Sequence, residues 1–312
     1  MGEIDISRLR WYINSREDGE TLQEFVSHAC SVSSDMAKEI IEFGCVHVVG
    51  ERVKNANFKL RAGYKVEIYL PSYGIRKFYE LNPERIIYRD KWIFAYNKEA
   101  FIPSHQVPYD DYNHVLGALR RMLSRECSDP YVAIHNRLDL EVSGILLFSI
   151  DRSVNRKISE MFASRSVKKY YLLLAEGNPP ADEWICDKSI AKIDGKYTCV
   201  DEPSKGKAAK THFKLLSRKD SHLLILAEPV TGRTHQIRLH LLASGLRLYG
   251  DRLYGGPPAG RIMLHGWRME LKHPKTGNRV LLEAPIPEDF SVDEFSDFNL
   301  AQVARSLPEK LH

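Results

Sequence analysis

The N-terminal part of the chain carries a helical pattern of apolar residues. Thr21 is suited to cap one helix, and Ser33-Ser34-Asp35 is suited to cap a second helix that ends at Gly44. The apolar residues that recur at three- and four-residue spacing are Leu22, Phe25, Val26 and Ala29, followed by Met36, Ile40 and Ile41. The sequence therefore predicts two short helices between residues 21 and 44.

An alternating pattern follows Gly44. Residues 45–53 indicate a strand, a turn at Gly50 and a second strand, and residues 60–69 alternate as a strand does. The two halves of residues 86–98 indicate two more strands. Further strands are predicted over residues 144–150, 169–176, 209–216, 222–230 and 278–284, and helices over residues 113–123, 151–163 and 234–244. The pattern indicates a chain rich in strands that begins with a small helical segment.

Bulk composition narrows the class of protein. The 312 residues suggest about two domains, and the formal net charge of +4 is compatible with a nucleic-acid partner. The five cysteines are scattered and form no Cys-x-x-Cys pair, which argues against a disulfide framework and against structural zinc. The N-terminus lacks an apolar signal segment, and no apolar stretch approaches the roughly 20 residues of a membrane helix. We expect a cytoplasmic protein with reduced thiols and no membrane segment.

One carboxylate stands where burial would be costly. Asp139 follows Arg137-Leu138 and shortly precedes the apolar run at residues 145–148. Loss of hydration penalises such a group unless a cation pairs with it. The later segment at residues 231–240 supplies fixed positive charge at Arg233 and Arg238. This segment is the natural source of a partner for Asp139.

These two segments together resemble the signature of the RluA family of pseudouridine synthases. Two later stretches continue the resemblance in the expected order: residues 245–255 contain Gly-Asp-x-x-Tyr-Gly, and residues 264–277 resemble the closing hairpin of the family. The resemblance covers about residues 84–290. It implies an enzyme that isomerises uridine in structured RNA after extruding the target base. It implies neither a cofactor nor a metal ion.

The resemblance also assigns catalytic roles. Asp139 would be the catalytic carboxylate and Arg238 its cationic partner. The carboxylate would act as a nucleophile or remove a sugar proton, and the sequence leaves both roles open. When the chain is aligned with the family on Gly177, Tyr171 takes the place of the family tyrosine, which would stack on the flipped uracil. Tyr170 is the alternative, because a shift by one residue selects the opposite face of the strand.

Five further residues are predicted to contact RNA. Arg233 stands at the entrance of a predicted helix, a favourable place to bind phosphate. The full set is Arg137, Asn136, Arg233, His235 and Lys169. The histidines at positions 135, 235, 240 and 265 lack the i, i+4 spacing of a helical metal site, so we assign them no metal.

Several positions depart from the family pattern. Where the family has Asn-Lys-Pro-Ala-Gly, this chain has Asn97-Lys98-Glu99-Ala100-Phe101. Asn136 and Val142 stand where the family usually has His and Thr. These departures leave open a second class of function, that of a non-catalytic RNA-binding or ribosome-assembly factor on the same fold.

The N-terminal segment resembles a second family. The segment has two helices, a Gly-x-Val-x-Val-x-Gly stretch from Gly44 to Gly50 and a Leu-x-x-Gly-Tyr-x-Val-x-Ile ending. The variable positions of the first stretch are Cys45, His47 and Val49. Together these features are similar to the alpha-L RNA-binding module of ribosomal-protein-S-four type. The match covers about residues 20–70. It implies added RNA contacts of shape and phosphate type.

The implied fold class is α+β. A mixed, largely antiparallel sheet would carry a central active-site cleft, with the alpha-L module on its N-terminal side. The predicted limits are an arm at residues 1–19, the alpha-L module at 20–72, a linker at 73–83, the catalytic domain at 84–290 and a tail at 291–312. The expected substrate is large-subunit ribosomal RNA, with transfer RNA as the alternative. A monomer is expected.

Overall fold

The computed structural model describes residues 6–291, except for the side chain of Pro203. The described chain forms two compact units, one from residues 6–82 and 102–130 and the other from residues 83–101 and 131–291. The first residues of the predicted arm and the predicted tail from residue 292 onward lie outside the described residues.

The first unit contains a small antiparallel sheet and three helices. Its elements are β1 (Ile6–Tyr12), α1 (Leu22–Cys30), α2 (Ser34–Phe43), β2 (Val46–Val48), β3 (Glu51–Arg52), β4 (Lys65–Pro71) and α3 (Val115–Ser124). The strand order is β1-β4-β2-β3. The two predicted N-terminal helices are present: Thr21 and Glu24 form a reciprocal capping box on α1, and Gly44 ends α2 with a φ of 90°.

A later segment of the chain completes this first unit. The Asp111 amide donates to the Phe43 carbonyl oxygen at 3.2 Å, and the Cys45 thiol donates to the Tyr109 carbonyl oxygen at 3.2 Å. The Arg52 guanidinium also pairs with Asp111 at 2.5 Å. Residues 102–130 therefore pack with the N-terminal unit, although the limits predicted from the sequence place them within the range 84–290. A limit read along the sequence follows chain order, whereas packing joins segments that are distant in the chain.

The second unit is built around a large sheet. Its strands are β5 (Ile86–Arg89), β6 (Ile93–Lys98), β7 (Ala133–Ile134), β8 (Ser143–Ser149), β9 (Lys168–Glu176), β10 (Glu183–Cys186), β11 (Ser189–Ile193), β12 (Lys196–Val200), β13 (Thr211–Lys219), β14 (His222–Pro229), β15 (Arg247–Leu248), β16 (Leu264–Lys272) and β17 (Arg279–Glu283). Its helices are α4 (Arg152–Ala163) and α5 (Gln236–Ala243), with single 3-10 turns at Pro83–Arg85, Pro203–Lys205 and Arg252–Tyr254.

The eleven-stranded sheet confirms the predicted mixed, largely antiparallel architecture. Its main order is β10-β13-β14-β9-β16-β8-β6-β5, with β15, β17 and β7 pairing to β9, β16 and β8. Among the described strands, the parallel pairing is that of β8 with β16, through Ser143 with His265 and Gly144 with Gly266. Strands β11 and β12 form a separate two-stranded sheet. The sheet therefore joins β8, which follows Asp139, to β9, which carries Tyr171, through β16.

Helix α5 covers one face of this sheet. Its Ile237 and Leu241 pack with Leu173 of β9 and Ile225 of β14. Leu242, the next residue of the helix, is 41% exposed. The reason is geometric, because each helical residue turns about 100° from the one before it and Leu241 already points at the sheet.

Gly144 is required where β8 approaches β16. A Cβ atom at this position would lie 2.3 Å from the Gly266 carbonyl oxygen, and the φ of Gly144 is +120°. We expect Gly144→Ala to lower the free energy of unfolding by roughly 3 kcal/mol or more, because both backbones must shift. Thermal and urea unfolding followed by circular dichroism would measure the loss.

Gly260→Ala is the matched control for this substitution. A Cβ atom at Gly260 would meet no heavy atom within 4 Å. Its expected effect is within about 0.5 kcal/mol. Equal stability of the two variants would contradict the close approach of β8 and β16.

Candidate active site

Asp139 lies in the turn that leads into β8. The Val142 amide donates to the Asp139 carbonyl oxygen at 3.1 Å and closes this turn. Upstream, the Asn136 side chain donates to the Ile145 carbonyl oxygen at 2.8 Å and accepts from the Leu147 amide at 2.9 Å. The turn, which we call the Asp139 turn (residues 136–142), is therefore attached to β8 through Asn136.

The same turn is held from a second direction. The Leu140 carbonyl oxygen accepts from the Phe101 amide at 2.8 Å and from Lys98 Nζ at 3.1 Å. Lys98 Nζ also donates to the Glu99 carbonyl oxygen at 2.7 Å. Burial lowers the pKa of Lys98 to about 7, although Glu99 and Asp139 oppose this shift. A buried amine and a backbone amide thus fix the residue next to Asp139.

Arg238 joins Asp139 to a second carboxylate. Its Nε and Nη2 donate to the two carboxylate oxygens of Asp251 at 2.7 and 2.8 Å, and its Nη1 donates to Asp139 Oδ2 at 2.7 Å. The side chains of Arg238 and Asp251 are only 6% and 2% exposed, whereas that of Asp139 is 32% exposed. Burial opposes the charge of Arg238, but hydrogen bonds and charge from the two aspartates raise its pKa overall. The buried pair with Asp251 leaves Arg238 one nitrogen to orient Asp139.

His235 and Tyr254 border the same carboxylate. His235 precedes α5 in the left-handed backbone region, with a φ of 54°, and its Nε2 lies 3.8 Å from Asp139 Oδ2. Tyr254 donates its hydroxyl hydrogen to the Tyr197 carbonyl oxygen at 3.3 Å, and the same hydroxyl lies within hydrogen-bond distance, 2.8 Å, of His235 Nδ1. Burial lowers the pKa of His235, which favours the neutral ring. The Tyr254 ring also lies 5.0 Å from the Arg238 guanidinium carbon.

A buried polar network sets the position of α5. Gln236 accepts from the Thr231 hydroxyl at 2.6 Å and donates to Thr211 Oγ1 at 3.0 Å. His240 contacts the same Thr211 hydroxyl at 2.9 Å. These bonds tie the start and the middle of α5 to Thr211 of β13, on either side of Arg238, so Arg238 is presented from a fixed element.

Tyr171 faces Asp139, and Tyr170 does not. Burial and the charge of Asp139 raise the pKa of Tyr171, which keeps its phenol protonated. Its ring lies against Gly266 of β16, where a Cβ atom would stand 3.4 Å from Tyr171 Cε1. Tyr170 is 1% exposed and packs in an apolar cluster with Leu172 and Trp267 on the opposite face. The register of β9 therefore turns Tyr171, as aligned on Gly177, toward the carboxylate.

The predicted RNA contacts are dispersed around the site. Arg137 and Arg233 are exposed, and Arg233 Nε donates to the Ala208 carbonyl oxygen at 3.1 Å. Lys169 is half-buried, with its ammonium 5.9 Å from the Phe162 ring and its pKa lowered by burial. Asn136 is different, since the backbone of β8 already occupies both polar atoms of its amide. Its position indicates a structural role in the Asp139 turn rather than a free RNA-contacting group.

Asp251, Lys98 and Tyr254 were not assigned to the site from the sequence. Asp251 and Tyr254 belong to the Gly-Asp-x-x-Tyr-Gly stretch, and Lys98 belongs to the altered Asn-Lys stretch. A buried guanidinium has five donors, so the need for a second carboxylate was a usable signal for Asp251. Lys98 offered no such signal, because its burial depends on the packing of β6.

No group of three or more His, Cys, Asp or Glu side chains suited to hold a metal ion occurs within residues 6–291. Over the same residues, no helix is long and apolar enough to cross a membrane. Asp139 Oδ1 has no hydrogen-bond partner among the described residues, whereas Oδ2 is bound by Arg238. One carboxylate oxygen is thus oriented and the other is available to a reacting group.

Comparison with known proteins identifies the family. A family model described as RNA pseudouridylate synthase matches residues 93–243. Ribosomal large subunit pseudouridine synthase D of Nitrosomonas europaea is 30% identical over 240 residues, which cover 73% of this chain and 67% of the relative. The chain belongs to the RNA pseudouridylate synthase family. The resemblance of the later part of the chain to pseudouridine synthases is thereby confirmed, and the chain is an enzyme of this class.

Other RNA pseudouridylate synthases match over more of their length. Ribosomal large subunit pseudouridine synthase C of Buchnera aphidicola is 27% identical over 302 residues, which cover 89% of this chain and 94% of the relative. Among solved structures, human RNA Pseudouridylate Synthase Domain Containing 4 has a TM-score of 0.56 at 21% identity, covering 66% of this chain and 90% of that one. Human RNA Pseudouridylate Synthase Domain Containing 1 has a TM-score of 0.54 at 21% identity, covering 74% and 100%. These two likenesses support the fold.

The lowered pKa of Lys98 predicts that the free energy of unfolding depends on pH. The native pKa of Lys98 is about 7, below its ordinary value of 10.5, so between these values only the unfolded chain binds the proton. The free energy of unfolding of the parent chain should therefore rise with pH relative to Lys98→Met, by about 2 kcal/mol between pH 7 and 9. Urea unfolding of both proteins across this range would measure the difference. A difference that does not change with pH would contradict a lowered pKa.

The Arg238–Asp251 pair predicts that catalysis depends on Asp251, although Asp251 is not one of the reacting groups. Asp251→Asn keeps the shape of the side chain but removes the charge that orients Arg238. We expect the rate of uridine isomerisation at saturating RNA to fall about ten- to hundredfold, since small displacements of a catalytic group are costly. Single-turnover assays would measure it.

Glu283→Gln is the control for Asp251→Asn, because Glu283 pairs with Arg268 between β16 and β17, in an ion pair that includes neither Asp139 nor Arg238. An unchanged rate in Asp251→Asn would show that Asp139 is oriented without this pair.

Proposed function

We propose that this enzyme isomerises specific uridines of large-subunit ribosomal RNA to pseudouridine, with Asp139 as the catalytic carboxylate. The observation that carries the assignment is the half-exposed Asp139, with Oδ2 bound by the buried Arg238 and Oδ1 unbonded among residues 6–291. The choice of RNA rests on the relatives, several of which are named ribosomal large subunit pseudouridine synthases. Transfer RNA is the second candidate substrate.

The reaction rearranges bonds within one nucleotide. The bond between ribose C1′ and uracil N1 breaks, the uracil turns, and C5 bonds to C1′. The hydrogen on C5 leaves as a proton, and N1 gains a proton, so atoms balance without an oxidant or a cofactor. The target nucleotide must leave its stack, since neither reacting atom can be approached inside a helix.

Each residue of the site has a proposed part in this sequence. Asp139 attacks the nucleotide as a nucleophile, or removes a sugar proton to start cleavage of the glycosidic bond. Arg238 orients the carboxylate, and the protonated phenol of Tyr171 stacks on the extruded uracil and takes part in proton transfer. Burial of Arg238 and Asp251 strengthens the hydrogen bonds of this pair, because water does not compete for them.

Further parts of the proposal concern RNA binding and the cellular setting. Arg137, Arg233, His235 and Lys169 would contact the RNA near the site, and the helices and hairpin of the first unit would add contacts of alpha-L type. We propose a cytoplasmic monomer that works on RNA as its macromolecular partner.

Asp139→Asn tests the assignment. We expect pseudouridine formation to fall by at least about a thousandfold, because the amide can neither attack nor accept a proton. Tritium release from uridine-labelled transcripts of ribosomal and transfer RNA would measure the rate, and carbodiimide mapping would locate the product. RNA binding and circular dichroism of the variant serve as controls for folding.

Three outcomes would overturn parts of the proposal. Full activity of Asp139→Asn would remove Asp139 from the chemistry. Release from transfer RNA alone would refute the ribosomal substrate. A parent protein that binds RNA but isomerises no uridine would favour the non-catalytic binding factor.

A further inference from the structure

A separate hairpin stands beside the active site. Strands β11 and β12, residues 189–200, pair with each other from Ser189–Val200 to Ile193–Lys196 and lie outside the large sheet. We call this element the hairpin arm. Its two turn residues, Asp194 and Gly195, both have positive φ values, of 49° and 82°. An Asp-Gly turn of this kind matches the twist of paired strands and makes a tight, well-defined tip.

The base of the hairpin arm is anchored to the helix that carries Arg238. Ile190 packs with Leu239 of α5, and the Cys199 thiol donates to the Leu239 carbonyl oxygen at 3.6 Å. Just before the arm, the Lys188 carbonyl oxygen bonds to His240 Nε2 at 3.0 Å. These buried contacts fix the arm relative to α5, so its exposed end projects from a defined place beside the site.

One side of the arm meets the site through Tyr197. The Tyr197 ring packs edge-on against the His235 ring, with centroids 5.7 Å apart, and the Tyr197 carbonyl oxygen accepts from Tyr254. His235 in turn lies 3.8 Å from Asp139. A single imidazole ring therefore separates Tyr197 from the proposed catalytic carboxylate.

The tip of the arm carries a net positive charge, because Lys192 and Lys196 flank the single carboxylate of Asp194. Lys192 and Lys196 are exposed, and neither forms an ion pair with another described residue. Lys188, just before the arm, and Lys205, in the 3-10 turn that follows it, are different, since they pair with Asp201 at 2.9 Å and Glu202 at 2.9 Å. The Lys192 ammonium also lies 5.6 Å from the centre of the Tyr197 ring. Lys192 lies directly opposite Tyr197 in the hairpin, so charge and aromatic surface are combined on that face. Lys196 pairs with Ile193 and adds a second ammonium group at the tip.

We propose that the hairpin arm binds the RNA strand next to the extruded uridine, with Lys192 and Lys196 on backbone phosphates and Tyr197 against the adjoining nucleotide. This inference rests on the proposed function. A nucleotide at Asp139 is still joined to its neighbours, so their phosphates must pass the elements that border the site. Ammonium groups beside an aromatic ring are the usual combination for a single strand, because phosphate and base are bound together.

The test compares two double substitutions that each remove two positive charges. Lys192→Ala with Lys196→Ala changes the arm, and Arg156→Ala with Lys157→Ala changes the exposed face of α4. For each protein we would measure pseudouridine formation against RNA concentration, and direct RNA binding, at several salt concentrations. The arm variant should need about tenfold more RNA for half-saturation, with the loss falling on this concentration rather than on the maximal rate.

The salt dependence separates a phosphate contact from a structural effect. The slope of log affinity against log salt should fall by about 1.4 in the arm variant, because each contact to single-stranded RNA contributes about 0.7. Lys192→Arg with Lys196→Arg should restore both affinity and slope. Tyr197→Phe should bind as the parent does, and Tyr197→Ala should bind more weakly, because the proposal needs the ring and not the hydroxyl.

The outcomes distinguish this inference from the proposed function. Equal losses of RNA affinity in the arm and α4 variants, or an unchanged salt slope in the arm variant, would overturn the proposed role of the arm in RNA binding. A parent protein that binds RNA without isomerising uridine would refute the proposed function, while the binding data would still decide the role of the arm. A parent protein that binds none of the RNAs would overturn both.

Discussion

The active site depends on one guanidinium shared by two carboxylates. Asp251 uses two nitrogens of Arg238 in a buried pair, and the remaining hydrogen bond goes to the half-exposed Asp139. A buried charge is tolerated only when its partners satisfy it, and removal of one partner of such a pair costs about 3–5 kcal/mol. The burial of Asp251 is therefore what allows Arg238 to stand in a dry environment, and the exposure of Asp139 leaves one carboxylate oxygen for chemistry. Orientation and reactivity are divided between the two aspartates.

The surrounding fold serves to hold this shared guanidinium in place. Helix α5 is tied to β13 by Gln236 and His240, and the Asp139 turn is tied to β8 by Asn136. Because β16 pairs with β8 on one side and β9 on the other, the carboxylate and Tyr171 are carried by one continuous sheet. The backbone constraint at His235, with its left-handed φ, lies at the junction between this sheet and the helix. A residue other than glycine thus adopts an unfavourable backbone conformation at the site, where the surrounding contacts hold it in place.

Much of this arrangement could be predicted from the sequence, and the missing parts share a physical cause. Helices α1 and α2 could be predicted from Thr21, Ser33 and Gly44, because helix capping depends on residues that are close in the sequence. Asp139 and Arg238 could be paired through the resemblance. Burial of Lys98, the second carboxylate at Asp251 and the packing of residues 102–130 on the first unit could not be predicted, since each depends on segments brought together only by folding. The hairpin arm was missed because its alternation is short and interrupted by charged residues.

The loop at residues 98–101 shows how the structure accommodates departures from the family pattern. Phe101 stands where the family has glycine, and it adopts a φ of +64° that ordinarily favours glycine. Glu99, in place of proline, lies 3.2 Å from Arg85 and accepts from the Tyr96 hydroxyl at 3.1 Å. The contact that matters to the site nevertheless comes from the Phe101 backbone amide, which donates to Leu140 beside Asp139. A backbone donor survives a change of side chain, provided that the loop keeps its conformation. The altered loop therefore still holds the Asp139 turn in place. This favours a catalytic role of this chain over a degenerate fold that only binds RNA.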